Sequence, residues 1–257
     1  MQLPRNNFKR ALQDARPLIG FWSSLASTAA TEVLGDAGLD WILIDTEHAP
    51  NELPAVADHL RVLLPTTTAP VVRPAWNDPV LIKRILDVGA QTLLVPYVQS
   101  AVEAQRAVAA TRFPPEGVRG VAAVHRSNRY GRVAEYFARA VEEICVVVQL
   151  ETGVALDALE AIAGIDGVDA LFIGPSDLAA NLGHIGDAAH PAVRGAIEDA
   201  CRRARALSIP VGILAPIEAD ARAYLEMGFR FVAVGSDIVT LRNGVDRLVR
   251  AFRPPLD

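Results

Sequence analysis

The chain has 257 residues, 51% of them hydrophobic and 21% charged, with a formal net charge of -5 and a pI near 5.6. That composition supplies a large buried core and excludes disorder, while its mild negative balance offers no basic stripe to neutralise nucleic-acid phosphates. No run of about 18 apolar residues is present to cross a membrane, and the opening "MQLPRNNFKRALQDARP" is too charged to hold the apolar core of a secretory signal.

In chain order, short apolar runs alternate with stretches of helical periodicity. "LIGFWSS" (18–24) and "WILIDT" (41–46) read as the first two strands, followed by "PVVRPA" (70–75) and "TLLVPYV" (92–98). The rhythm continues with "ICVVVQLET" (144–152), "ALFIGPSD" (170–177), "VGILAP" (211–216) and "FVAVGSD" (231–237). Runs apolar at every position suit strands covered on both faces, the way a parallel sheet is buried. The segments between carry helix punctuation. In "NDPVLIKRILDVGAQ" Asp78 is placed to cap, Pro79 takes the first helical position and Gly89 ends the helix, and Pro191 and Pro210 bracket a later one.

Eight strand–helix units in a chain of this length is the arithmetic of a (β/α)8 TIM barrel, a single domain over 1–257. An open doubly wound sheet is the runner-up, but it usually has fewer strands and a Gly-rich first turn that is absent here. One connection breaks the rhythm, a long loop insertion at 112–132, "RFPPEGVRGVAAVHRSNRYGR". Loops of this length serve function or assembly, and with Arg119, Arg126, Arg129 and Arg132 a subunit contact is expected ahead of a lid. Cys145 and Cys201 have neither zinc-ligand spacing nor a disulfide framework, which fits reduced residues in a cytoplasmic protein.

Such a barrel keeps its chemistry at the C-terminal ends of its strands. Polar residues gather there: Trp22 and Ser24, then Asp45, Glu47 and His48, then Arg73, Gln149 with Glu151, "GPSD" (174–177), and Ser236 with Asp237. Glu151 and Asp177, on neighbouring strands, would repel unless a cation lies between them, and such an oxygen-rich pair suits a hard divalent ion. The alternative is that Asp177 caps the next helix and Glu151 pairs with an arginine. The only lysines, Lys9 before the first strand and Lys83 inside a helix, cannot supply a desolvated Schiff-base amine. Carbonyl chemistry here depends instead on metal and arginine. His48 is suited to proton transfer near neutral pH and Arg73 to holding an oxyanion. The loops after strands seven and eight lack a glycine-rich phosphate cradle, so the substrate is expected to be unphosphorylated.

Taken together, "IDTEHAPN", "VRPAWNDPVLIKRILDVGAQTLLVPYV", "QLETGVALD" and "FIGPSDLAANLGH" resemble the HpcH/HpaI aldolase family, class II metal-dependent pyruvate aldolases, over nearly the whole chain. The resemblance implies Glu151 and Asp177 as ligands of Mg2+, Mn2+ or Co2+, His48 as base, and Arg73 as the contact to the keto or enolate oxygen. It also implies Asp87 as the carboxylate that pairs with this histidine across a subunit boundary, with Asp45 organising the site. Trp22, Gln149, Gly174, Pro175, Ser176 and Leu214 match pocket positions. Ser176, where the family has a GPAD-like tetrapeptide, is expected to favour a more polar donor such as hydroxypyruvate beside pyruvate. The implied reaction is reversible aldol cleavage of a 4-hydroxy-2-oxo acid to a 2-oxo acid and an aldehyde, in a hexamer built as a trimer of dimers. Two competing functions are a CoA-thioester lyase of the citrate lyase β-subunit type and a non-catalytic sensor of 2-oxo acids.

Overall fold

The computed structural model describes residues 1–14 and 16–253, so the last four residues of the expected domain lie outside the described residues. Among these, eight parallel strands close on themselves in chain order: β1 (Leu18–Ser23), β2 (Trp41–Asp45), β3 (Ala69–Arg73), β4 (Thr92–Val95), β5 (Cys145–Leu150), β6 (Ala170–Ile173), β7 (Val211–Leu214) and β8 (Phe231–Ser236). The expected (β/α)8 barrel is formed, with a strand on each apolar run. β1 meets β8 to complete the ring, with a register shift between Gly20 and Trp22.

The connections carry α2 (Thr28–Gly35), α3 (Leu53–Val62), α4 (Pro79–Asp87), α5 (Ala101–Thr111), the short α6 (Tyr136–Arg139), α7 (Gly153–Asp157) and α8 (Leu159–Ala163), then α9 (Pro175–Asn181), α10 (Pro191–Ala206) and α11 (Glu218–Met227), and α12 (Asp237–Phe252) closes the series. Their starts follow the sequence punctuation. Asp78 accepts from the amides of Val80 and Leu81 at the head of α4, and Ser236 accepts from Val239 at the head of α12. Gly89, just past α4, has φ +106°, a left-handed conformation that favours glycine.

Two apolar layers hold the barrel. Inside it, Trp41, Phe231, Phe172 and Trp22 meet at ring separations of 5.7 to 6.3 Å. Neighbouring strands make room for these rings: a Cβ at Gly20 would fall within the Trp41 indole, and one at Gly212 within the Phe231 ring. Outside it, β-strand residues such as Ile42, Ile44, Val146 and Val148 pack against Leu60, Ile82, Ala104 and Ile197 of the helices.

A short helix, α1 (Asn7–Ala11), precedes the first strand and was not expected from the sequence, because five residues are too few to show a helical period. It stops the N-terminal end of the barrel: Phe8 lies 5.8 Å from Trp41 and 5.5 Å from Phe231. Glu143 clamps it, accepting from the Asn6 amide at 2.6 Å and from both terminal nitrogens of Arg10 at 2.5 and 2.7 Å.

The 112–132 insertion is a fixed strap. It folds back over the C-terminal ends of α4 and α5 through hydrogen bonds from Val118 N to Ala109 O (2.8 Å), Arg119 N to Arg112 O (2.9 Å), and Ser127 N to Asp87 O (3.3 Å). Arg119 is fully buried, its guanidinium 4.6 Å over the Phe113 ring and its Nη2 donating to Asp87 Oδ1 at 2.8 Å. Val118, Val121, Val124 and Tyr130 stand exposed along its outer edge. No helix among the described residues is long and apolar enough to cross a membrane.

Candidate active site

At the C-terminal rim, Asp45 and Arg73 occupy paired register positions on β2 and β3. The Arg73 Nε and Nη2 donate to the two carboxylate oxygens of Asp45 at 2.9 and 2.7 Å, a bidentate pair. Its Nη1 lies 2.9 Å from Glu47 Oε2, but that oxygen forms no hydrogen bond, so the contact is charge attraction off the N–H direction. The guanidinium also sits 5.4 Å from the Trp22 ring centroid. A cation this deeply buried requires such partners. Burial opposes the ionised form of Asp45, yet the hydrogen bonds and charge of Arg73, with the amides of Glu47 and His48, hold its carboxyl below the ordinary range.

Across the rim, the β5 and β6 ends build a second acidic group. Glu151 accepts from Gln149 Nε2 at 2.5 Å on one oxygen and from the Tyr97 amide at 2.7 Å on the other. Gly174 lets that carboxylate sit where it does, since a Cβ there would lie 2.8 Å from Glu151 Oε2 and 2.9 Å from its Cβ. Asp177 stands exposed in the first turn of α9, whose N-cap is Gly174. The alternative reading, in which Asp177 caps α9 and Glu151 pairs with an arginine, is not what forms. Burial pushes the Glu151 carboxyl up to about 7, and the charges of Asp177 and Glu47 add to this against the Gln149 and Tyr97 hydrogen bonds. Glu47 is likewise pushed up to about 7 by burial, against Arg73 and with Asp45 and Asp177 adding. The two groups therefore share one field with more negative than positive charge.

His48 lies on the β2–α3 loop, 65% exposed at its side chain, with Nε2 3.8 Å from Glu47 Oε2. Asp87 is not beside it. α4 runs back along the barrel, so its last residue reaches the N-terminal rim, where its carboxylate is engaged by Arg119. Within one chain the structure brings together Trp22, Asp45, His48, Arg73, Gln149, Glu151, Gly174, Pro175, Ser176, Asp177 and Leu214 at the strand ends and leaves Asp87 apart.

Two contributors have roles that the sequence reading does not assign. Glu47 faces Arg73, a role that its position two residues after Asp45 on the same loop could have signalled. Tyr97 has φ 55°, and this left-handed backbone aims its amide at Glu151; nothing in "LLVPYV" announces it. A buried relay also supports the His48 loop: Thr31 Oγ1 meets His59 Nδ1 at 2.8 Å, His59 Nε2 meets Asn51 Oδ1 at 3.0 Å, and Asn51 Nδ2 donates to the Asp45 carbonyl at 2.8 Å.

Residues 18–244 match the family model for HpcH/HpaI aldolase/citrate lyase. A Citrobacter koseri protein named 5-keto-4-deoxy-D-glucarate aldolase is 51% identical over 248 residues, covering 96% of each chain. A crystal structure of an HpcH/HpaI aldolase/citrate lyase family protein from Burkholderia cenocepacia superposes with a TM-score of 0.93 at 41% identity, over 96% of this chain and 98% of that one. A citrate lyase β subunit from M. tuberculosis, solved with oxaloacetate and magnesium, shares the fold alone, with a TM-score of 0.58 and 20% identity over 88% of this chain and 92% of that one. The aldolase reading therefore stands over the thioester-lyase and sensor readings. The chain belongs to the HpcH/HpaI aldolase/citrate lyase family and is a carbon–carbon lyase of the aldolase type.

Proposed function

We propose that this aldolase cleaves a 4-hydroxy-2-oxo diacid of the 5-keto-4-deoxy-D-glucarate type to pyruvate and an aldehyde acid, with a divalent metal. The observation that carries this reading is the buried Asp45–Arg73–Glu47 group facing Glu151 and Asp177 across the C-terminal rim. The donors fit a hard cation: all are oxygens, burial and then the charges of Asp177 and Glu47 raise Glu151, and buried Gln149 Oε1 has no partner. Among the described residues no group of three or more His, Cys, Asp or Glu side chains is placed to hold a metal ion, so Glu151 and Asp177 would hold one only with further oxygens from substrate or water. Glu151 and Asp177 would hold Mg2+, Mn2+ or Co2+, and the bound ion would supply Lewis-acid polarisation of the 2-oxo group.

The chain's own groups do the rest. A guanidinium carries five N–H donors, and Asp45 takes two of those on Arg73, leaving others for the oxygen that becomes an enolate. His48 takes the C4 hydroxyl proton as the C3–C4 bond breaks, the electron pair of that bond becomes the enolate, and protonation at C3 gives pyruvate. Trp22, Gln149, Gly174, Pro175, Ser176 and Leu214 wall the 2-oxo acid. The Ser176 hydroxyl favours hydroxypyruvate as a second donor, so Ser176→Ala is expected to lower the hydroxypyruvate-to-pyruvate ratio of kcat/KM, and an unchanged ratio removes that role.

Asp87 orients His48 from a second subunit, a reading supported by its place on the opposite rim of its own chain. The hexameric assembly is supported by α12, which leaves Ile238, Leu241, Val245, Leu248 and Phe252 exposed at helical spacing. The buried free thiols of Cys145 and Cys201, both pushed up by burial, fit a cytoplasmic setting. The test is pyruvate release from the diacid with and without chelator. Chelation is expected to abolish turnover and added Mg2+, Mn2+ or Co2+ to restore it; full turnover in the chelator overturns the metal reading.

A further inference from the structure

The catalytic rim of one chain is short of positive charge. From the strand ends through the loops that follow them, residues 23–27, 45–52, 73–78, 95–100, 150–152, 173–174, 182–190, 214–217 and 236, Arg73 is the only lysine or arginine. Its charge is already shared between Asp45 and Glu47. A diacid of the glucarate type brings two carboxylates. The one beside the 2-oxo group can lie against the metal and Arg73. Cleavage leaves the other on the aldehyde fragment, 2-hydroxy-3-oxopropanoate, and no cation on this rim remains to receive it.

The strap carries the opposite imbalance. Arg119 is buried with Nη2 on Asp87 and with Nε and Nη1 unpartnered, out of reach of a second chain, and Arg132 Nη1 donates to the Arg129 carbonyl. Arg126 and Arg129 have no carboxylate partner among the described residues. Arg126 is half-buried beside a groove of about 320 Å³ that Arg129 also lines. Burial and the nearby charges of Arg61 and Arg129 all disfavour a lone cation there. A desolvated guanidinium without a counter-ion is costly unless an anion arrives. Arg126 is also tethered to the residue next to Asp87: its Nη1 donates to the Val88 carbonyl at 2.7 Å. Whatever rim Asp87 meets, Arg126 meets too.

We infer that the strap of one subunit docks on the catalytic rim of a second copy and delivers Arg126, with Arg129 beside it, to bind the substrate's distal carboxylate. The inference rests on the diacid reading and on Asp87 acting across a subunit boundary. Charge complementarity supports the docking, since a basic strap edged by exposed Val118, Val121 and Val124 would meet a rim rich in carboxylates. Arginine suits the task, because its planar fork matches a carboxylate bidentately. Specificity for the aldehyde partner then resides in the neighbour's chain, and the site is incomplete in an isolated subunit.

The test compares two substrates with the intact enzyme and Mn2+: the glucarate-type diacid, and 4,5-dihydroxy-2-oxopentanoate, which lacks the distal carboxylate. In Arg126→Met/Arg129→Met the preference for the diacid, as a ratio of kcat/KM, is expected to fall about 10- to 100-fold, with the loss mainly in KM. Arg126→Lys should retain part of it. Co-expressing the double variant with Glu151→Gln chains then locates the arginines. Mixed oligomers contain sites that join an intact rim to an intact strap, so diacid cleavage should reappear. Folded mixed oligomers that recover nothing overturn the inference, as does a double variant with an unaltered preference. A wild-type enzyme that cleaves both substrates equally well also overturns it. Failure to cleave the diacid at all, with the shorter substrate cleaved, instead defeats the diacid reading and the inference with it.

Discussion

Arg73 shows how a single residue can be read in two ways. In the sequence it is an isolated charge in "VVRPA"; in the fold it is held by Asp45, its register partner on the neighbouring strand, and by Glu47 on the adjoining loop. The need of a buried arginine for an anion was legible, because the desolvation cost of a lone cation follows from the run around it. The identity of the second partner was not, because Glu47 reaches Arg73 only through the turn that follows β2. Gly174 belongs to the same scale. A Cβ there would press on Glu151 Oε2 at 2.8 Å and on Gln149 Nε2 at 3.0 Å. Gly174→Ala is therefore expected to keep the circular dichroism of the parent while weakening Mn2+ binding about 10- to 100-fold, as displaced supporting groups do. Isothermal titration calorimetry checks this, and unchanged affinity would show that Glu151 can move without loss.

At the scale of elements, α1 and the strap are the parts that sequence pattern conveyed least. α1 is too short for periodicity and is held by tertiary contacts, chiefly Glu143. Burial alone would raise the Glu143 carboxyl, but its hydrogen bonds to Arg10 and the Asn6 amide, with the Arg10 charge, hold it below its usual value. A carboxyl lowered in the folded state contributes stability above its unfolded pKa, and that contribution is lost as pH falls through the lower folded value. The parent should therefore lose thermal stability from about pH 4.5 downward, and Glu143→Gln should start less stable at neutral pH and lose less over that acid range. Parallel melting curves falling by the same amount in both proteins would contradict this. The length of the strap and its arginines lead the sequence reading to expect a subunit contact there. The strap's attachment to α4 and α5 is not legible in the sequence, because the backbone hydrogen bonds that make it run to Asp87 and Ala109, outside the segment itself.

For the whole molecule, the barrel itself was legible because each strand is apolar along its length and each interval is punctuated by caps and prolines. The separation of Asp87 from His48 was also implicit, since a helix following a strand must return to the other rim. The exposed stripe on α12 is the face that the proposed hexamer would bury. Leu248→Glu, at the centre of the C-terminal half of that stripe, is expected to shift the particle from the proposed hexamer to smaller species in light scattering coupled to size exclusion. The melting transition of the barrel should survive, because this residue lies outside the core. A hexamer that persists would place the contact elsewhere.

The rings inside the barrel have a historical consequence. Trp41 fills the volume that Gly20 vacates on the neighbouring strand, and Phe231 fills that of Gly212. Adding a side chain at either glycine leaves no space for the ring, and shrinking the ring alone opens a void. Neither member of a pair can drift by small independent steps. A tolerated change at one member of a pair therefore requires a compensating change at the other, a constraint that the loops above the barrel do not carry. Substrate preference can then evolve at the rim and between subunits while the four interior positions stay locked.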